Sequence, residues 1–533
     1  MNKKRILALL LALLLSITLI GGCGGNGDAP GGGGDGEAAT QDDGPLDLSL
    51  PIVDEPITLS VFWPPIGDAV NFITDFNCNP VWQLMEEQTG IHIDWFHGTV
   101  EQYNLMISAG DFTDIIMHDQ DIGAQYPGGP DQGIEDGVIL RLNEYLERYG
   151  KYYLPLIDST PEFRRNSRTD TGNIWGFAML ETNIQGPWMG MSVRQDWLNA
   201  LGMDTPVTYD DWHTMLVRFR DELDASVPML LCATGFDWPD AFIAGHGVGR
   251  SFFQIDGEVH FGPIEQGYRD HVTMLAQWYA EGLIDQEFAT RDHAGREQLI
   301  TTAQVGAWFT GFWVFCQNRE RSIDSDVFHQ VAVPPPVRNP GETARLRQTN
   351  DNVRGFQTSV TPSSPYRVEA VRWLDNLYSP ENIILLNYGI EGQAHEIIDG
   401  ERIFTDLIVN NPRGMLESTA FFAYAMHHGP MVRIWDRAAY TWHPDWIEAH
   451  YIWAEATNCG VIPQQISMTA EEATEFASIM NDIETLVEER SVRFIMGIDD
   501  LGGFDEFVSQ IISMNIDRAI EIKQAAVDRY YAR

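Results

Sequence analysis

From residue 57 to residue 117 the hydrophobic pattern switches repeatedly between a period of two and a helical period, and this limits the folds open to the chain. "ITLSVF" (57–62) alternates, is rich in β-formers and reads as a strand. Residues 80–89 place Val81, Trp82, Leu84 and Met85 at helical spacing, and Gly90 closes the helix. "IHIDWF" (91–96) is a second strand, 101–109 a second helix closed by Gly110, and "DIIM" (114–117) a third, apolar strand. Strand and helix in strict alternation predict an α/β fold with a parallel sheet and right-handed crossovers. Ligands of such sheets sit beyond the carboxyl ends of the strands. Here those ends are Trp63-Pro64-Pro65, His97-Gly98 and His118-Asp119.

Further along, "TDTGNIWGFAM" (169–179) reads as a hairpin with a polar turn. Helices are expected at 194–201 and 209–223, the second capped by Thr208, and Asp256-Gly257 turns a second hairpin. A helix at 268–281 precedes "VGAWFTGFW" (305–313), a strand running into a loop. The proline-rich 331–340 is a stiff connector. Helices follow at 367–378 and 380–387, and the last third is mostly helical, ending at 514–531. No internal repeat is present.

The start of the chain carries an address. Lys3, Lys4 and Arg5 precede an apolar run of residues 6–20, too short for an ordinary membrane span and suited to a secretory signal. It ends in Ile20-Gly21-Gly22-Cys23, which resembles the lipobox of bacterial lipoproteins. That resemblance implies cleavage after residue 22, lipid on Cys23 and anchoring to the outer face of the cell membrane. Residues 23–54 are rich in glycine and acid and are expected to be a disordered tether.

The formal charge of −43 becomes more negative once the basic head is removed, and Lys151 and Lys523 are the lysines that remain. Such a surface repels nucleic acid and anionic lipid. Cys78, Cys232, Cys316 and Cys459 are too widely spaced for a zinc knuckle, and leave open either two disulfides or four thiols.

The motifs "WQLMEEQTGIHIDW", "YNLMISAGDFTDIIM", "GNIWGFAM", "VRQDWLNALGMDTPVTYDDW", "NYGIEGQAHE" and the C-terminal "DEFVSQIISMNIDRAIEIKQ" follow one another through the body. In this order the chain resembles the family-1 extracellular solute-binding proteins, the lipoprotein substrate-binding components of bacterial carbohydrate ABC transporters. The resemblance implies a two-lobed clamshell of the type II periplasmic-binding-protein kind. A sugar or oligosaccharide would lie in the cleft, the closed form would dock on an ABC permease, and no enzyme chemistry is involved. It further implies hinge crossings near Phe177-Ala178, Gly355-Phe356 and Tyr388–Gly392. Lobe 1 then holds 55–177 and 355–390, lobe 2 holds 178–354, and 391–533 is mainly lobe 2 with the C-terminal helices. Where large relatives carry a calcium loop this chain reads "FRDELDASVPML": Asp221 and Asp224 remain, but the alternating oxygens and the turn glycine do not, so no calcium, and no other cofactor, is expected.

Sugar sites pair aromatic planes with carboxylates, amides and arginines. Trp313, in "FTGFW", resembles the sugar-stacking loop of maltose-type relatives, and Trp63 follows the first strand. Trp175, Trp188, Trp238 and Trp453 lie outside smooth apolar stripes, whereas Trp82, Trp197, Trp212, Trp278 and Trp373 fall at core spacing. Asp119 and Glu391 are the candidate carboxylates, with Tyr388 beside the latter, and Arg354 the candidate guanidinium. His427-His428 lacks a partner at ligand spacing and reads as core or surface rather than metal site. A secreted glycoside hydrolase, and a peptide-binding or sensor lipoprotein on the same fold, are the competing functions. The expected partners are a carbohydrate, permease subunits and a membrane reached through lipid, with the body a monomer and no nucleic acid bound.

Overall fold

The computed structural model describes residues 46–533 apart from 65–68, 70, 120–123, 182–186, 232–239, 346–351, 438–441 and 455–459; the signal, Cys23 and most of the tether lie outside the described residues. Leu48–Arg533 is one compact unit. In chain order its strands are β1 Ile57–Phe62, β2 Ile91–Phe96, β3 Ile115–Asp119, β4 Phe177–Glu181, β5 Met189–Arg194, β6 Val227–Leu230, β7 Phe252–Ile255, β8 Glu258–Phe261, β9 Val305–Gly311, β10 Gln330–Ala332, β11 Val353–Val360, β12 His395–Ile398, β13 Glu401–Phe404 and β14 Val432–Arg433. Six of them form a first sheet in the order β14-β4-β11-β3-β1-β2, and four a second, β10-β5-β9-β6.

The alternating βα pattern produces the expected parallel pairs: β1 lies against β2 with Ile57 opposite Ile91, and against β3 on its other side. Helix Pro80–Thr89 between them begins at Asn79, whose side chain accepts from the Val81 N–H, and stops at Gly90, whose φ of 76° favours glycine. The sheet is nonetheless mixed, because β11 inserts antiparallel between β3 and β4. The predicted polar turn at 169–173 forms, with the Thr169 N–H donating to Asn173 O. Its flanks do not pair as a hairpin. Asp131 binds Thr169, Thr171 and Asn173 in place, and β4 runs between β11 and β14 instead.

Each sheet has its own core, giving two lobes. Trp82, Tyr153, Phe177 and Trp373 pack in the first. Trp212, Phe219, Trp278 and Phe309 pack in the second, with residues of the C-terminal helices Ala470–Ile495, Phe504–Ser513 and Ile516–Ala532. Helix Tyr209–Leu223 starts, as predicted, at Thr208, which forms a capping box with Asp211.

The chain passes between the sheets after β4, between β10 and β11, and after β14. The passage expected at Tyr388–Gly392 therefore comes some forty residues later. Asn387 ties the end of helix Pro380–Tyr388 to β14 by donating to Val432 O, which keeps this stretch on the first sheet. Residues 391–433 thus stay with lobe 1. The end of the expected tether also departs from disorder: Ile52 is buried, its N–H donates to Thr89 O, and Arg372 donates to Ser49 O and Ile52 O. The apolar Ile52 supplies the burial that the preceding glycine-rich run lacks.

A non-covalent strap also joins the lobes. The last helix packs in the second core, yet its end lies on the first lobe. Arg529 Nε donates to Asp170 at 3.0 Å, Arg533 Nε to Asp170 at 2.7 Å, and Tyr530 Oη to Asn166 at 2.6 Å.

Candidate functional site

Two of the three passages carry aromatic residues that meet in one wall. Trp188 lies just before β5 and Phe312 just after β9; their rings stack at 5.6 Å and 24°. Beyond β14, Trp442 packs on Phe312 at 4.5 Å and on Trp188 at 5.5 Å, and Trp446 lies 6.0 Å from Phe312. Trp435 extends the row, edge-on to Trp442 at 5.0 Å. Trp188, Trp435, Trp442 and Trp446 are half-buried, so they are packed and still present surface. The indole N–H of Trp188 is buried with no hydrogen-bond partner among the described residues, while that of Trp446 is directed at the Cys316 side chain.

Charge is placed beside the wall from the first sheet. Arg433, in β14, lies over the Trp188 ring at 5.6 Å, and its guanidinium is 3.9 Å from the buried carboxylate of Glu181 at the end of β4. Behind them Arg437 is buried, donating to Met426 O and His427 O and covering the Phe421 ring. Burial, with Arg433 adjacent, pulls the Arg437 guanidinium down to about 9. Burial, with both arginines adding to it, drives His427 well below the usual imidazole range, so it is neutral; its Nδ1 lies 2.9 Å from Nδ1 of His428. Burial also lowers His450, packed on Trp435, to about 4. The wall is thus backed by the neutral imidazole of His450, and charge at its edge comes from Arg433 and Glu181.

Residues 71–384, more than half of the chain, match the family model of the bacterial extracellular solute-binding proteins. The chain belongs to that family. The fructooligosaccharide ABC transporter substrate-binding protein FusA of Streptococcus pneumoniae is 23% identical over 494 residues, covering 86% of this chain and 88% of FusA. Lipoprotein LipO of Bacillus subtilis is 22% identical over 367 residues, 65% of this chain and 70% of LipO. A solved extracellular solute-binding protein from Bifidobacterium longum subsp. infantis superposes with a TM-score of 0.72 at 17% identity, over 92% of this chain and all of that one. Its likeness establishes the two-lobed fold.

Among the described side chains of this solute-binding protein, the wall gathers one of the tryptophans singled out from sequence, Trp188. Trp63 is 2% exposed and sits edge-on among Phe76, Trp82 and Trp95, in the core and not on an open face. Trp453 is equally buried: its Nε1 donates to Met191 O and its ring lies against Gly190, so it seats helix Pro444–Ala454 on β5. Trp175 turns to the sheet face, edge-on to His118. Tyr388 stacks on Phe404 in a satellite cluster under Arg402, and Glu391 is exposed beside it; neither joins the wall. Asp119 ends β3 and is buried. Trp313 follows β9 in a short turn and Arg354 opposes Met179 in β11, but their side chains, like Trp238, lie outside the described residues. Asp221 pairs with Arg220, and Asp224 closes helix Tyr209–Leu223 at a φ of 52°. Cys78 and Cys316 are free thiols, so the chain does not carry two disulfides among its four body cysteines; Cys232 and Cys459 lie outside the described residues. The missed residues are Phe312, Trp435, Trp442, Trp446, Arg433 and Glu181. A signal for three of them was present: "IWDRAAYTWHPDW" (434–446) packs three tryptophans into a charged stretch with no helical stripe.

Proposed function

We propose that this chain is the membrane-anchored receptor of a carbohydrate importer, capturing a sugar or oligosaccharide between its lobes and presenting it to an ABC permease. The observation that carries this reading is the wall of half-buried Trp188, Trp442 and Trp446 packed around the buried Phe312, with Arg433 and Glu181 at its edge. Sugar rings offer flat C–H faces to such planes and hydroxyls to such charges. Stacked contacts of about 0.5–1.5 kcal/mol each and charged hydrogen bonds of about 1.5–3 kcal/mol reach a micromolar site, about −8 kcal/mol, with a handful of groups. The binding of FusA to fructooligosaccharides, by its name, supports the cargo class.

Because the aromatic wall packs on the second sheet while Arg433 and Glu181 stand on the first, a ligand seated between them touches both lobes when they close. It shifts the open–closed equilibrium by its differential affinity. No covalent step is involved. Cys23 holds the lipid on the outer face of the membrane, and the body acts as a monomer without cofactor or nucleic acid.

A thermal-shift screen of the body against mono- and oligosaccharides, with peptides as controls, tests the reading. One sugar series should raise the melting temperature, with no product on long incubation. A shift with peptides alone, or sugar cleavage, would overturn it.

A further inference from the structure

The two lobes are linked twice, by the covalent passages at one end of β4 and by the last helix at the other. All three passages meet the first sheet at a single end. The chain leaves β4 at Glu181, enters β11 at Val353 opposite Leu180, and leaves β14 at Arg433 opposite Glu181. The last helix instead grips the turn that leads into Phe177, where β4 begins. At ~3.3 Å per residue, β4 alone separates the two ends by about 13 Å.

The end of helix Ile516–Ala532 is seated on both lobes. On the second, Gln524 Oε1 accepts from the Val259 N–H, Gln524 Nε2 donates to Gly257 O, and Gln254 Nε2 donates to Tyr531 Oη. These bonds fix the last turns of the helix to the hairpin of β7 and β8, whose Phe253 and Phe261 lie in the second core. On the first lobe the Arg533 side chain is 6% exposed, and besides Asp170 its guanidinium donates to Arg165 O and Arg168 O. Arg165 in turn lies over the rings of Tyr530 and Tyr531 at 5.4 and 5.5 Å. Arg529 also donates to Glu472, so Asp170 is tied to the start of helix Ala470–Ile495 as well.

A buried guanidinium shared among a carboxylate and two carbonyls fits one arrangement of the lobes. A swing of ~20° about the passages carries a point ~13 Å away by ~4–5 Å, past the reach of a hydrogen bond. We propose that the end of helix Ile516–Ala532 is a lock on lobe motion: the contacts of Arg529, Tyr530 and Arg533 with Asp170 and Asn166 hold the arrangement seen here, and a swing about the passages has to break them. The consequence for uptake rests on the receptor reading above. A ligand moves the lobes only by its differential affinity for two arrangements, and the lock sets how large that difference must be.

The test is single-molecule fluorescence transfer in the free full chain. Dyes are placed at Leu105 on the first lobe and Ile498 on the second, both exposed, through non-canonical residues that leave the cysteines alone. Asp170→Asn should raise the ratio of a second interlobe distance to the parental one by about tenfold, and Tyr530→Phe by about threefold, as the loss of a charged and of a neutral hydrogen bond requires. Arg518→Ala, which breaks ion pairs to Glu475 and Glu521 on the second lobe, should leave the distribution unchanged. An unchanged distribution in Asp170→Asn, or an equal shift in Arg518→Ala, overturns the proposal. The readout needs no sugar: a chain that takes up no carbohydrate yet unlocks in Asp170→Asn loses the receptor reading and keeps the lock.

Discussion

Replacing Gly190 by alanine probes the seat of the aromatic wall without touching the wall itself. Gly190 lies in β5 opposite Thr310, and a Cβ built there would stand 2.5 Å from Cε2 and Nε1 of Trp453 and 2.6 Å from Cδ1. The indole cannot yield in place, because it is buried and its Nε1 donates to Met191 O at 3.1 Å. Overpacking of this kind costs about 1–3 kcal/mol, and loss of a buried hydrogen bond about 1–3 kcal/mol more. We expect about 3 kcal/mol in all, a fall in Tm of roughly 6–12 °C for a lobe of this size. Helix Pro444–Ala454 carries Trp446 and begins two residues after Trp442, so its displacement should also weaken sugar binding by about tenfold, or about 1.4 kcal/mol. Calorimetric melting and sugar titration read the two effects. Trp453→Leu removes the obstructing ring, so the double variant should lose less than the sum of the single losses, with a coupling of at least about 1 kcal/mol. An unchanged Tm for Gly190→Ala, or strict additivity in the double variant, would refute this packing argument.

Three further predictions follow from the site and its surroundings. Trp442→Ala and Trp188→Ala should each weaken the sugar by about 0.5–1.5 kcal/mol, roughly two- to twelvefold, with the melt of the free protein little changed; equal affinity in either variant removes that ring from the site. His118 is buried between Tyr103 Oη and Ser359 Oγ, and burial lowers it to about 3. Because its folded pKa lies below the unfolded value of about 6.5, the unfolded state binds the extra proton. Its stabilisation is whole above pH ~6.5 and falls by about 1.4 kcal/mol per pH unit below it. Urea midpoints at roughly pH 7 and 4.5 should therefore converge in His118→Gln relative to the parent chain, and an unaltered pH slope contradicts the assignment. Asp170→Asn should loosen the strap by about 1.5–3 kcal/mol, seen as faster amide exchange in the last turn of helix Ile516–Ala532; unaltered exchange there would mean that Arg529 and Arg533 hold nothing through Asp170.

The first lobe was legible in the sequence because its information is local. The strands at 57–62 and 91–96 and the helix at 80–89 appear at the predicted residues, since period, cap and closing glycine all act within a few positions. The insertion of β11 between β3 and β4 is a pairing across more than 170 residues, and no local pattern specifies it. The same limit explains the site. Trp63 looked promising because it follows a strand, yet its neighbours Phe76, Trp82 and Trp95 close over it. Trp453 escaped the helical-stripe test because its contact is Gly190, far away in sequence, with no side chain to mark it. The wall depends on residues brought together from near 188, 312 and 442, and spacing along the chain carries no record of that meeting.

The central claim is that a carbohydrate closes the two lobes about the aromatic wall. Small-angle X-ray scattering of the body, titrated with the sugar series that gives the largest thermal shift, tests it most directly. The account predicts a saturable decrease in radius of gyration at the stoichiometry of one ligand per chain, absent in the Trp188→Ala/Trp442→Ala double variant. A radius unchanged at saturation, or a decrease that persists in the double variant, would contradict it.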